Sequence, residues 1–155
     1  MPLHYKMVNE DLLLYKIGLE NKIINMEELM IWVKHILTIS SPDTQNYFLI
    51  ELWWSKNVYE SLNILTREIE SRGLFNTKIN GCLFYPFMLN FDLSNLDNLV
   101  FISKVLFGLR DKVIFSDFEI EQIYYIDECC DEYFEGYISE SFWKEAIIKL
   151  LNSSN

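Results

Sequence analysis

The chain has 155 residues, half of them hydrophobic and 15% aromatic, with 23 acids against 13 bases for a net charge of −10. That is one-domain size, able to bury roughly 70% of its unfolded surface, and too apolar for a disordered protein. Clustered Lys and Arg are needed to hold phosphates, so the balance argues against nucleic acid or an anionic bilayer as a direct partner and favours a cationic one.

In chain order, the opening Met1-Pro2-Leu3-His4-Tyr5-Lys6 lacks the charged start, apolar centre and small-residue cleavage site of a secretory signal. The first expected helix covers Asp11 to Leu19. Asn25 with Glu28 reads as a capping pair, opening a stripe of Leu29, Met30, Val33, Ile36 and Leu37. Trp32 and His35 on that helix read as core or edge packing. Ser41-Pro42-Asp43 reads as a cap with proline in the first turn, leading into Tyr47 to Trp54. Adjacent Trp53 and Trp54 diverge by about 100° on a helix. Burial of both between neighbouring helices is the expectation, with one of them as a surface anchor the alternative.

Asn57 with Glu60 opens a helix bearing Val58, Leu62, Leu65 and Ile69, closed by Gly73. Residues 73–92 fit either a short helix kinked at Pro86 or an extended crossover. Asn80-Gly81 is followed by continuous apolar residues and so does not read as a hairpin. Ser94 with Asp97 precedes Leu99, Ile102, Leu106 and Leu109. Ser116 with Glu119 begins an acidic segment whose expected inner side is Ile120, Ile123, Tyr124 and Phe134. Ser139 or Ser141 caps a last helix with Trp143, Ala146, Ile147, Leu150 and Leu151 inward. The whole reads as one all-α domain over residues 1–155, of about seven helices.

No reaction is spelled out. His4 and His35 have no metal-ligand spacing around them, and Asp127 to Glu135 lacks the glycine and alternating oxygens of a calcium loop. Phosphate-binding glycine motifs and nucleophile elbows are missing. Cys82, Cys129 and Cys130 read as free thiols of a reducing cytosol, packed as small apolar residues. No apolar run approaches a membrane span. The expectation is a cytoplasmic non-enzyme with no catalytic, cofactor or metal residues. A single alanine beside 18 isoleucines and 13 asparagines fits an AT-rich bacterial or phage genome.

The informative feature is where the charge lies. Residues 1–110 carry a net −2 and residues 111–155 a net −8, with no base between Lys112 and Lys144. On a helix, Glu128, Asp131, Glu132 and Glu135 share one side, and Asp127 adjoins them through Asp131. Like charges at i, i+4 cost about 0.2–0.5 kcal/mol per pair, and anions near a helix C-terminus cost a further ~0.3–1 kcal/mol each. With no compensating base in the segment, the cluster reads either as a solvated face that keeps the protein soluble or as a surface for a basic partner. Tyr124, Tyr125, Tyr133, Phe134 and Tyr137 are interleaved as aromatic anchors. The expected partner-binding set is Tyr124, Tyr125, Asp127, Glu128, Asp131, Glu132 and Glu135.

The run from Tyr15 to Leu29, YKIGLENKIINMEEL, resembles the opening of small helical immunity proteins of bacterial polymorphic toxin and contact-dependent inhibition systems. Ile123 to Glu128, then Gly136-Tyr137 and the Ser139 to Leu151 helix, is similar to their closing segment. The resemblance covers about a third of the chain and does not include residues 73–93. It implies a cytosolic, non-enzymatic inhibitor that binds a cognate toxin one to one, often a nuclease with a basic cleft. Tyr124, Tyr125, Asp127 and Glu128 are the residues it carries over. The alternatives are a phage or plasmid nucleic-acid mimic that inhibits a DNA-binding protein, and a small helical enzyme with an unmarked carboxylate site.

Overall fold

The computed structural model describes residues 3–39 and 47–153, with side chains from Val8 onward. Among these residues the protein is all-α, with eight α-helices, one 3₁₀ turn and no strand beyond an isolated bridge. Contacts gather into two units, Met1–Thr77 and Lys78–Asn155.

In the first unit, α1 (Leu3–Glu20) starts well before the expected Asp11. It buries Val8, Leu12, Tyr15 and Leu19 on one line, widened by Leu13 and Leu14, and packs on α4. It ends in a Schellman turn: the Lys22 N–H donates to Leu19 O and the Ile23 N–H to Gly18 O. Lys22 takes the left-handed position, φ 60°, where glycine is usual. Gly18 has its own reason, since a Cβ there would lie 2.4 Å from the Ile24 side chain. The expected capping pair forms both ways, Glu28 N–H to Asn25 Oδ1 and Asn25 N–H to Glu28 Oε1. It opens α2 (Met26–Ile39), which buries Leu29, Trp32, Val33 and Ile36.

Trp32 is thus core, stacked on Tyr15 with ring centroids 4.7 Å apart and donating its indole N–H to Asp11 at 3.0 Å. His35 is exposed instead, because it projects away from that buried line. The Ser41-Pro42-Asp43 cap lies outside the described residues.

In α3 (Tyr47–Trp53), Phe48, Leu49 and Leu52 fill the inward side. That leaves no room for either tryptophan: Trp53 is 45% and Trp54 75% exposed, contrary to the expected burial of both. Asn57 caps α4 (Val58–Ser71) by accepting the Glu60 N–H. The buried line there is Ser61, Leu65 and Ile69, while Val58, the first residue of the helix, is exposed. Buried Ser61 is satisfied by Ser55 Oγ at 2.7 Å and by Met26 Sδ at 3.4 Å. Gly73, at φ 70°, closes α4 as expected.

In the second unit, Ile79 to Gly81 runs parallel to Ile114. The Ile114 N–H donates to Ile79 O and the Gly81 N–H to Ile114 O. Gly81 is required because the Phe115 ring lies where a Cβ would be, 2.0 Å away. A 3₁₀ turn, Gly81–Phe84, leads into α5 (Tyr85–Met88). Of the two readings of this stretch, the short helix is the one present. Pro86 sits in its first turn, where a missing N–H costs nothing, and so makes no kink.

Helix α6 (Leu96–Leu109) is capped by Asn95 rather than Ser94, whose N–H and hydroxyl are both turned to Asp92. It buries the expected Leu99, Ile102, Leu106 and Leu109, with Ser103 among them. The last long pair is α7 (Asp117–Phe134) and α8 (Glu140–Leu151). Ser139 caps α8, and its stripe Trp143, Ala146, Ile147, Leu150 and Leu151 is buried as expected. Trp143 is fully enclosed and donates its indole N–H to Ser103 Oγ at 3.0 Å, while that hydroxyl donates to Leu99 O. Helices α6, α7 and α8 pack on one another pairwise, so α7 is held from two sides with one face left over.

Candidate functional site

The placement of α7 begins at its N-terminus. Ser116 accepts the Glu119 N–H, and Glu119 accepts the Ser116 N–H in return, a complete capping box. The second Glu119 oxygen accepts a hydrogen bond from the hydroxyl of buried Tyr85, which fastens the start of α7 to α5. Desolvation, then the Glu119 carboxylate, hold the Tyr85 phenol well above its ordinary range, so it remains a donor.

The inner line of α7 is Ile123, Ile126, Cys129 and Cys130. Tyr124 lies about one hundred degrees round from Ile123, and both it and Phe134 are exposed rather than internal, correcting the expected inner side. Phe134 packs edge-on against Trp143 at the rim. Burial raises both α7 thiols above their usual range, which keeps them protonated and poorly nucleophilic.

Opposite that core line lies an uninterrupted exposed stripe: Asp117, Glu121, Tyr124, Glu128, Asp131 and Glu135. The spacing alternates four and three residues, so these positions stay on one face for about 27 Å of helix. Five carboxylates and one phenol line it. Four of the seven expected residues belong to it: Tyr124, Glu128, Asp131 and Glu135.

The other three lie on its flanks. Asp127 turns towards α6 and is half-buried, accepting from Lys104 Nζ at 3.0 Å. Tyr125 turns towards α8, edge-on to Phe142. Glu132, seven residues on from Tyr125, shares that side and is half-buried.

The expectation that the cluster lacks a compensating base is corrected here. Lys104 reaches across from α6 and stands 3.8 Å from Asp131 as well as 3.0 Å from Asp127. Its hydrogen bond to Asp127 holds the ammonium above its ordinary pKa. Lys104 is half-exposed, so the pair is worth no more than about 1 kcal/mol.

A second cation borders the stripe higher up. The Arg110 guanidinium lies 3.5 Å from the Phe107 ring centre and 4.8 Å from that of Tyr124, and donates to the Tyr124 hydroxyl. This fixes the Tyr124 ring on the α6 side and prepares it as a rigid contact. Lys104 and Arg110 escaped sequence reasoning because only helix packing brings them here. Asp117 and Glu121 were readable from their four-three spacing to Tyr124 and Glu128.

Set against known proteins, the chain matches no family model, no curated protein and no solved structure. Among the described residues no group of three His, Cys, Asp or Glu side chains is placed to hold a metal ion, and no helix is long and apolar enough to cross a membrane. What the α7 face offers is a row of solvated negative charge on a helix gripped from behind. It has a fixed aromatic ring near its middle and two bases confined to one edge. Such a surface attracts a positively charged macromolecule from a distance and presents a rigid template on contact.

Proposed function

We propose that this protein is an immunity protein, which neutralises a cognate bacterial toxin by laying the outer face of α7 over a basic active or substrate-binding surface. The observation that supports this reading is the continuous exposed row Asp117, Glu121, Tyr124, Glu128, Asp131 and Glu135, on the side of α7 turned away from its buried line and bordered towards α6 by Lys104, Phe107 and Arg110. A toxin that acts on nucleic acid needs a cationic cleft for phosphates. A row of carboxylates can occupy such a cleft, and it speeds encounter through long-range attraction. Exposed aromatics at the row's edges, Tyr124, Tyr125 and Phe142, would supply the desolvated contacts that slow release. The inhibitor acts in the cytoplasm, needs no cofactor and performs no reaction of its own.

The test is neutralisation. Co-expression with the product of the neighbouring upstream gene should restore growth that this product alone abolishes. Replacing Glu121, Glu128 and Glu135 together by Lys should remove that protection at equal protein level. Protection that survives the triple replacement would discard the α7 face as the inhibitory surface.

A further inference from the structure

We propose that the outward face of α3 is a self-association surface, through which two copies of this chain form a dimer. This goes beyond the toxin-binding reading and uses a different helix. Tyr47, Ile50 and Trp54 recur at three- and four-residue spacing, and the Trp54 N–H still bonds to Ile50 O, so the three side chains form one line. Trp53 flanks Ile50 on the next turn. Their exposures are 63%, 45%, 75% and 45% for Tyr47, Ile50, Trp54 and Trp53. For side chains of this size, that leaves about 500 Å² of aromatic and aliphatic surface in water. It lies at the upper end of what one patch on a monomer carries, and most of the ~800 Å² that each partner of a standard interface contributes.

Charge selects the occupant. From Tyr47 to Ser55 the sole ionisable carboxylate is Glu51, one turn on from Tyr47 at the border of the line, and Arg67 pairs with it at 2.6 Å. The face is therefore apolar and electrically neutral. A two-fold dimer brings the same patch against itself, so its surface must be self-complementary. The α3 face meets that condition. The α7 face, with five carboxylates, would repel its own copy and suits a partner of opposite charge.

Sedimentation equilibrium of the full chain, from low to high micromolar concentration, tests this. The expected result is a concentration-dependent rise to twice the 18.5 kDa chain mass, not weakened by high salt, which screens the repulsion between two chains of net charge −10. Ile50→Glu and Trp54→Glu should each hold the chain at monomer mass. Both positions face solvent, so far-UV circular dichroism should show an unchanged helical signal. Tyr47→Ala, which introduces no charge, should weaken the dimer at least tenfold. A monomer at every concentration, or a dimer that persists in both glutamate variants, would overturn the proposal.

Discussion

At the scale of single residues, positions that break local rules are the most instructive. Lys22 holds the left-handed turn that ends α1, φ 60°, with its side chain in solvent. A β-carbon in that region costs about 1 kcal/mol relative to glycine. Lys22→Gly is expected to raise the thermal midpoint by a few degrees, read by calorimetry. Asp11 is a second such position. Desolvation raises its carboxyl above the ordinary value, against the lowering effect of the Trp32 N–H; Glu10 adds to the rise and His35 opposes it.

A folded-state pKa raised in this way means that the native state holds the proton more tightly than the unfolded chain does. The contribution of Asp11 to stability is then greatest below the unfolded value of 3.8 and declines as pH rises through the shifted value. Asp11→Asn keeps an oxygen for Trp32 without the charge. It should flatten that decline as pH rises from 3.8 through the shifted value, in denaturant titrations at a series of pH values, while an unchanged slope would assign the pH dependence elsewhere. Both positions explain limits of sequence reasoning. Nothing in the order of residues marks Lys22 as left-handed, and the Asp11–Trp32 contact exists only because α1 and α2 meet.

At the scale of elements, side-chain oxygens at helix starts were the most legible signal. Asn25, Asn57, Ser116 and Ser139 all cap the helices expected of them, since a cap is decided within four residues. Ser94 lost that role to Asn95 because Asp92 captures its hydroxyl. Apolar stripes were legible where one face is buried, as in α6 and α8. They misled in α7, where aromatics also occupy the rim, and in α3, where Phe48, Leu49 and Leu52 leave both tryptophans outside.

Helix α7 also bears a cost. Its carboxylates repel one another along the stripe, and Glu135 sits at its C-cap, where the helix dipole disfavours an anion. Lys104 offsets only the Asp127 and Asp131 end. Glu135→Lys should therefore stabilise the protein by about 0.5–1 kcal/mol at low salt, with less gain at high salt. A loss of stability in the same melts would mean that Glu135 holds a structural contact.

At the scale of the whole molecule, charge is divided unequally between the two units. Met1–Thr77 has ten acids and seven bases, whereas Lys78–Asn155 has thirteen acids and six bases. The all-α class and the acidic bias of the C-terminal part were legible because composition and periodicity are additive along the chain. The identity of the exposed face was only partly legible. Its acids follow from helical spacing, but its borders are set by α6 and α8, which bring in Lys104, Arg110 and Phe142.

On this reading the outer face of α7 binds a basic protein. The most direct measurement is calorimetric titration of the full chain with the purified product of the neighbouring gene. Wild type and the Glu121, Glu128 and Glu135 to Lys variant should be compared at low and high salt. The prediction is a one-to-one complex that weakens steeply with salt, and a variant at least about tenfold weaker, roughly 1.4 kcal/mol, with a flatter salt dependence. Failure to form a complex, or equal affinity and equal salt slope for both proteins, would contradict it.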